Sequence, residues 1–143
     1  MLLAQAKYYR ADALKMVQHI HYKFKMGSMT LHLAMFYFDL LPPDLVKTNT
    51  WHLQALTCLI LSCKFVERDD DIPLIEDMMR ASNLGRKTIT YEQVIKNEFA
   101  ICKELGWNLN QVTPYHFIKN YISQGIIYTS DYFLAKEATS LLT

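Results

Sequence analysis

The sequence predicts an all-α domain of five helices packed around an enclosed third one. Three observations carry this. The segment 51–65, WHLQALTCLILSCKF, is apolar around most of its helical circumference, the pattern of a helix inside a larger protein. The segments flanking it repeat apolar residues at steps of three and four, separated by Gly, Pro and capping residues. No stretch alternates apolar and polar residues as a half-buried strand does. At 143 residues the chain is long enough to bury a core of its own.

Each element follows from its own residues. Over 4–25, Tyr9, Ala13, Met16, Ile20 and Phe24 form an apolar stripe, while Lys7, Asp12, Lys15, Gln18 and Lys23 fall mainly elsewhere. This is an amphipathic helix. Gly27-Ser28 ends it, and Ser28 is expected to cap the next helix. That helix, 31–41 (LHLAMFYFDLL), is stopped by Pro42-Pro43, because proline cannot continue a helix and biases its predecessor to extended backbone. Residues 44–49 make a linker or single turn, with Thr50 or Asn49 as cap of the central helix. Within that helix Leu53, Leu56, Leu59, Ile60, Leu61 and Phe65 wrap the circumference. Ala55, Cys58 and Ser62 make a small-residue stripe that lets a neighbour approach closely. Its length and the helix formers around LTCLILS argue against a buried strand.

Glu67 to Asp71 (ERDDD) is a charged loop. Ile72-Pro73-Leu74 is expected to reopen a helix with proline in its first turn, burying Leu74, Ile75, Met78 and Met79. The preceding acidic residues suit the positive end of its dipole. After a polar connector over 82–90, Thr90 and Gln93 form a capping box. The helix that follows is expected to bury Val94, Ile95, Phe99, Cys102 and Leu105 and to stop at Gly106. Thr113-Pro114 opens a sixth, short helix through Phe117, Ile118, Tyr121 and Ile122, ended by Gly125. Residues 131–142 read as the start of another amphipathic helix. The expected organisation is a first domain over 1–123, then a linker and the beginning of a second, cut-off domain over 124–143.

Composition narrows the function classes. Fifteen Lys and Arg against 14 Asp and Glu leave a formal charge of +1, with no long basic run, so no nucleic-acid partner is expected. The bracketing His52, Gln54 and Lys64 leave an apolar run well short of the ~20 residues of a membrane span, and no membrane partner is expected. Met1 to Leu3 does not open a signal peptide. Cys58, Cys63 and Cys102 are odd in number, without a CxxC, and read as reduced, buried thiols of an intracellular protein, nuclear or cytoplasmic.

Chemistry-bearing constellations are absent from the sequence. His19 and His21 are two apart, on different sides of a helix, and cannot share a metal. His52 reads as a surface or cap residue. A calcium loop starting at Asp69 would need an oxygen ligand where Pro73 stands and Gly where Leu74 stands. Gly27, Gly85, Gly106 and Gly125 are scattered and form no phosphate loop. Cys58 and Cys102 lie on apolar faces, not in the setting of a nucleophile. No catalytic residue, metal, cofactor or small-molecule substrate is expected.

The motifs, in order, resemble a cyclin box. They are Tyr22-Lys23-Phe24, Thr30-Leu31-His32-Leu33-Ala34, Tyr37-Phe38-Asp39 and the run Cys58 to Phe65 (CLILSCKF). Glu98 then stands nine residues ahead of Trp107 in GWNL, followed by TPYHF. The resemblance runs from about Tyr9 to Ile122 and implies a five-helix cyclin box, with the tail as the start of a second box. Four charged positions recur in that family, and by register they fall on Arg10, Asp39, Lys64 and Glu98. Arg10 and Asp39, on apolar helices, are expected to meet partly buried as a structural ion pair. Breaking such a pair costs about 3–5 kcal/mol. Lys64 and Glu98 are expected near the surface, where a pair contributes only about 0–1 kcal/mol. On spacing alone they read as an ordinary interhelical pair. The resemblance instead implies that they reach main-chain groups of a cyclin-dependent protein kinase. It also implies Glu67 on the kinase-binding face, with Phe65, Cys102 and Leu109 as apolar contacts.

The function so implied is that of a regulatory subunit that binds and activates a cyclin-dependent protein kinase by stabilising its active conformation. Several departures stand out. Leu40 follows Asp39 where the family usually has Arg, and Val66-Glu67 replaces an acidic pair. The family's substrate-docking patch on the first helix becomes Tyr9, Ala13 and Met16, with Asp12 inside it, and reads as vestigial. These departures keep a second reading open, a cyclin-fold scaffold that binds a kinase or another protein without activating it. A third, a nucleic-acid-binding adaptor of the same fold, is opposed by the near-zero charge.

Overall fold

Helix α3 (Trp51–Val66) is buried at every position from Gln54 to Cys63. It forms the axis of the computed structural model, which describes residues 2–82 and 89–124, with side chains from Tyr8 onward. Around it stand α1 (Leu2–Lys23), α2 (Ser28–Leu40), α4 (Ile75–Ala81) and α5 (Tyr91–Glu104), each in contact with α3. Helix α6 (Pro114–Ser123) follows and touches α2. The links from α2 to α3 and from α3 to α4 each hold one 3₁₀ turn, Pro43–Leu45 and Asp69–Asp71. Among the described residues there is no strand. The expectations for Gly125 and for a second domain within 124–143 fall almost wholly outside the described residues, as does most of the connector over 82–90.

The core is assembled from one face of each helix. Tyr37, Leu33 and Phe38 of α2, Ala13, Val17 and Ile20 of α1, Met78 of α4, and Val94 and Ile101 of α5 close on Leu56, Leu59 and Ile60 of α3. Each large apolar side chain so buried is worth about 1.5–3 kcal/mol relative to exposure. The small-residue stripe of α3 does allow a close neighbour, for the Ser62 hydroxyl donates to the Thr30 carbonyl of α2 at 2.6 Å. Cys58, Cys63 and Cys102 are all free and buried, and burial pushes the Cys63 thiol up to about 11.

Several local expectations are corrected. In α1 the fully buried stripe is Ala13, Val17 and Ile20, while Tyr9, Met16 and Phe24 flank it half-buried. Ser28 is the first residue of α2 and not its cap; the cap position is Gly27. Thr50 does occupy the cap position of α3, but its side chain makes no cap bond. Its hydroxyl instead donates to the Leu45 carbonyl at 2.8 Å and accepts the Lys47 N–H at 2.9 Å, closing the preceding turn. Helix α4 starts at Ile75, after Pro73, and Leu74 is its extended, exposed cap. In α5 the buried face is Val94, Ile101 and Cys102, whereas Ile95 and Phe99 point outward.

The capping box at Thr90 forms as expected, with Gln93 N–H to Thr90 Oγ1 at 3.2 Å and Thr90 N–H to Gln93 Oε1 at 3.1 Å. Two helices end in left-handed turns. Lys25 at φ 53° closes α1, with the Met26 N–H on the His21 carbonyl at 3.0 Å. Gly106 at φ 62° closes α5, with the Trp107 N–H on the Cys102 carbonyl at 2.8 Å. These bonds satisfy carbonyls that a helix end otherwise leaves open.

Candidate functional site

The C-terminal turn of α3 leaves the core at Lys64 and Phe65, both exposed, and meets the middle of α5. There Lys64 Nζ lies 2.8 Å from Glu98 Oε1. The two side chains differ in setting: Lys64 is 44% exposed and Glu98 only 13%. One helical turn beyond Glu98, the buried Cys102 thiol is pushed up by burial and by the Glu98 carboxylate, with Lys64 opposing. Lys64, Glu98 and Cys102 therefore share one electrostatic neighbourhood, with Phe65 beside it in sequence.

Leu109 is half-buried in the segment after α5. Its carbonyl accepts the hydroxyl of Tyr37, which fixes that segment to α2. Tyr37 is fully buried, and desolvation raises its phenol well above the usual tyrosine range.

Glu67 stands apart from this group. Its Oε1 accepts the Gly27 N–H at 2.7 Å and the Thr30 hydroxyl at 2.7 Å, so the carboxylate faces the start of α2.

Arg10 and Asp39 meet in a forked pair, Nε to Oδ1 at 2.8 Å and Nη2 to Oδ2 at 3.1 Å. Their side chains are 35% and 43% exposed. The pair joins α1 to the end of α2 as its residue types suggest, but in more water than the apolar helices implied. Its breakage therefore costs less than that of a desolvated pair.

The three residues of the first-helix patch separate. Ala13 lies in the core, Met16 is half-buried, and Tyr9 stacks on Trp51 with ring centroids 6.1 Å apart at 9°. The Tyr9 and Thr48 hydroxyls are bonded to each other. Trp51 stacks in turn on His52, with centroids 3.6 Å apart, so His52 belongs to an aromatic ladder. At Tyr9 the surface is therefore a stack of three rings, Tyr9, Trp51 and His52.

Two features escape the sequence reading. Asn97 of α5 donates to Gln54 Oε1 at 3.0 Å and to Thr57 Oγ1 at 2.9 Å, both buried on α3. The same turn of α5 that presents Glu98 is thus locked to the axis. Phe99, 62% exposed, packs edge-on against Trp107 at 5.3 Å. The only sequence signal for the first is a polar residue at helical spacing between the apolar Val94 and Ile101. For the second it is a choice between two apolar stripes.

Among the described residues no group of three or more His, Cys, Asp or Glu is placed to hold a metal ion. Among them, too, no helix is long and apolar enough to cross a membrane.

Comparison with known proteins bears on this arrangement directly. The family model for the cyclin N-terminal domain matches residues 3–110. Cyclin-J of Xenopus laevis is 31% identical over 121 residues, covering 80% of this chain and 30% of that protein. Cyclin-J of Homo sapiens is 30% identical over 124 residues, covering 82% and 32%. S-phase entry cyclin-6 of Saccharomyces cerevisiae is 32% identical over 111 residues, covering 77% and 28%. The chain spans about a third of the length of these relatives. No solved structure gives a significant match. The domain match runs through all five helices that surround and include α3, and the chain belongs to the cyclin family.

Proposed function

We propose that this cyclin box binds a cyclin-dependent protein kinase through the face formed by Lys64, Phe65, Glu98, Cys102 and Leu109, and activates it. The observation that carries the reading is the Lys64–Glu98 pair, bridging α3 and α5 at the surface. Lys64 keeps 44% of its side chain in solvent while Glu98 is largely enclosed, so the pair both joins the two helices and holds a charge at the surface where a partner can reach it. Its two charges stand where the family resemblance places contacts to kinase main-chain groups. Phe65, about half exposed, adds an apolar anchor beside them.

The mechanism is a shift of population. The chain contributes no chemistry; it binds one kinase conformation better than the others and thereby raises that conformation's share. To carry a kinase from about 1% to 99% active, the differential affinity must reach about 10⁴-fold. A rigid face supports such discrimination, and here Asn97 and Tyr37 tie both α5 and the Leu109 segment to the core.

Co-purification of the chain with its kinase, followed by assay of that kinase with and without it, tests the reading. A gain in kinase activity supports it; a bound but silent kinase removes activation. One observation favours that second outcome, a scaffold without activation. Glu67, expected on the binding face, is engaged inside the molecule. The scaffold reading then keeps kinase binding and loses only the conformational preference.

A further inference from the structure

Helix α2 begins without a cap of its own. Its cap position is Gly27, which has no side chain, and its first turn holds no acidic residue. A helix start leaves N–H groups unpaired and carries partial positive charge, so it calls for an acceptor, best an anionic one. The acceptor comes from the far end of α3. Glu67 Oε1 takes both the Gly27 N–H and the Thr30 hydroxyl, each at 2.7 Å.

This junction involves three helices. Thr30 is fully buried, and its carbonyl receives the Ser62 hydroxyl of α3 at 2.6 Å. From α1, His21 Nε2–H donates to the Gly27 carbonyl at 3.0 Å. Glu67 itself closes α3, with its N–H on the Cys63 carbonyl at 2.9 Å. It stands three residues after Lys64 and two after Phe65, where α3 has already left the core. Hydrogen bonds to a carboxylate are about twice as strong as neutral ones. Two of them on one oxygen make a firm attachment for that last turn.

We propose that Glu67 is a positioning residue: its carboxylate clamps the end of α3 to the start of α2, and so fixes Lys64 and Phe65 for the kinase without touching it. This rests on the kinase-binding face proposed above. The clamp depends on an acceptor atom and not on net charge at the surface, which separates it from direct contact.

The test measures two things in the whole chain: affinity for a purified cyclin-dependent protein kinase, and protection of the Gly27 amide from hydrogen exchange. Glu67→Gln keeps an acceptor in place, Glu67→Ala removes it, and Thr30→Val removes one donor with little change of shape. Glu67→Gln is expected to bind within about threefold of the original chain, and Glu67→Ala about tenfold more weakly. Amide protection is kept in the first and lost in the second, and Thr30→Val falls between them in affinity. Glu67→Gln weakening as much as Glu67→Ala, with Thr30→Val binding normally, would mean direct contact and overturn the proposal. Lost protection with unchanged affinity would overturn it too, leaving the clamp without influence on the face. Should Glu67→Ala not fold, Glu67→Gln and Thr30→Val decide between the same outcomes. Lys64→Glu in the same assay separates the two proposals. If it binds normally, the kinase-binding face falls and this inference with it; if only Lys64→Glu weakens binding, this inference alone falls.

Discussion

Acidification should unfasten α2 through His32. This histidine is buried in α2 and stacked flat on Tyr115 of α6, with ring centroids 4.7 Å apart at 5°. Burial, with the nearby His21 adding, lowers its proton affinity from 6.5 to about 4. The unfolded chain takes up the proton below 6.5 and the folded chain resists until about 4. Stability is therefore complete above 6.5 and is lost as pH falls through that window. At full strength the difference is worth about 3 kcal/mol; partial access of water to the ring reduces it to about 2 kcal/mol. Urea unfolding of the original chain and of His32→Phe, which keeps the stack, should be followed from about pH 7.5 to pH 4. The gap between the two stabilities should shift by about 2 kcal/mol in favour of the variant at low pH. Groups remote from His32 are the same in both chains and cancel in the difference; a companion His21→Gln pair of chains removes the one histidine that acts on it. Parallel curves would refute the reasoning, because they would mean that His32 accepts its proton in the folded chain as readily as in the unfolded one.

Three further outcomes follow from the packing. Leu59→Ala removes a fully buried side chain from α3 and should cost about 3–5 kcal/mol by denaturant titration. Asn97→Ala leaves the buried Gln54 and Thr57 without their α5 partner and should cost about 1–3 kcal/mol in the same experiment. Asp39→Asn weakens a forked but partly exposed pair and should cost about 1 kcal/mol, a value that added salt diminishes. A loss of 3 kcal/mol or more there would mean that the pair behaves as a desolvated one.

The helices were legible wherever one residue decides locally. Pro42-Pro43 ends α2, Thr90 and Gln93 cap α5, and the circumferential apolarity of 51–65 placed α3 at the centre within one residue of its observed end. The charged partners Arg10–Asp39 and Lys64–Glu98 were legible only through family register, since their members lie 29 and 34 residues apart. The intramolecular bonds of Glu67 are not legible for the same physical reason: the donors it accepts, Gly27 N–H and the Thr30 hydroxyl, lie 40 and 37 residues away, with no local signal. The face of α5 was half misread because Ile95–Phe99 and Val94–Ile101 are both apolar pairs at helical spacing. Hydrophobicity cannot choose between them; packing against α3 does. Thr50 shows a further limit, since a hydroxyl suited to capping also suits the turn before it, and here the turn takes it.

The most direct test of the kinase-binding face is a charge swap. Lys64→Glu combined with Glu98→Lys restores an ion pair between α3 and α5 while reversing both charges presented to a partner. Kinase activation should be measured for each single reversal and for the swap, with thermal unfolding alongside. The expected result is that all three fail to activate the kinase, while the swap unfolds within about 1 kcal/mol of the original chain. If the swap activates the kinase as the original chain does, the pair serves only to join α3 to α5, and the kinase-binding face lies elsewhere.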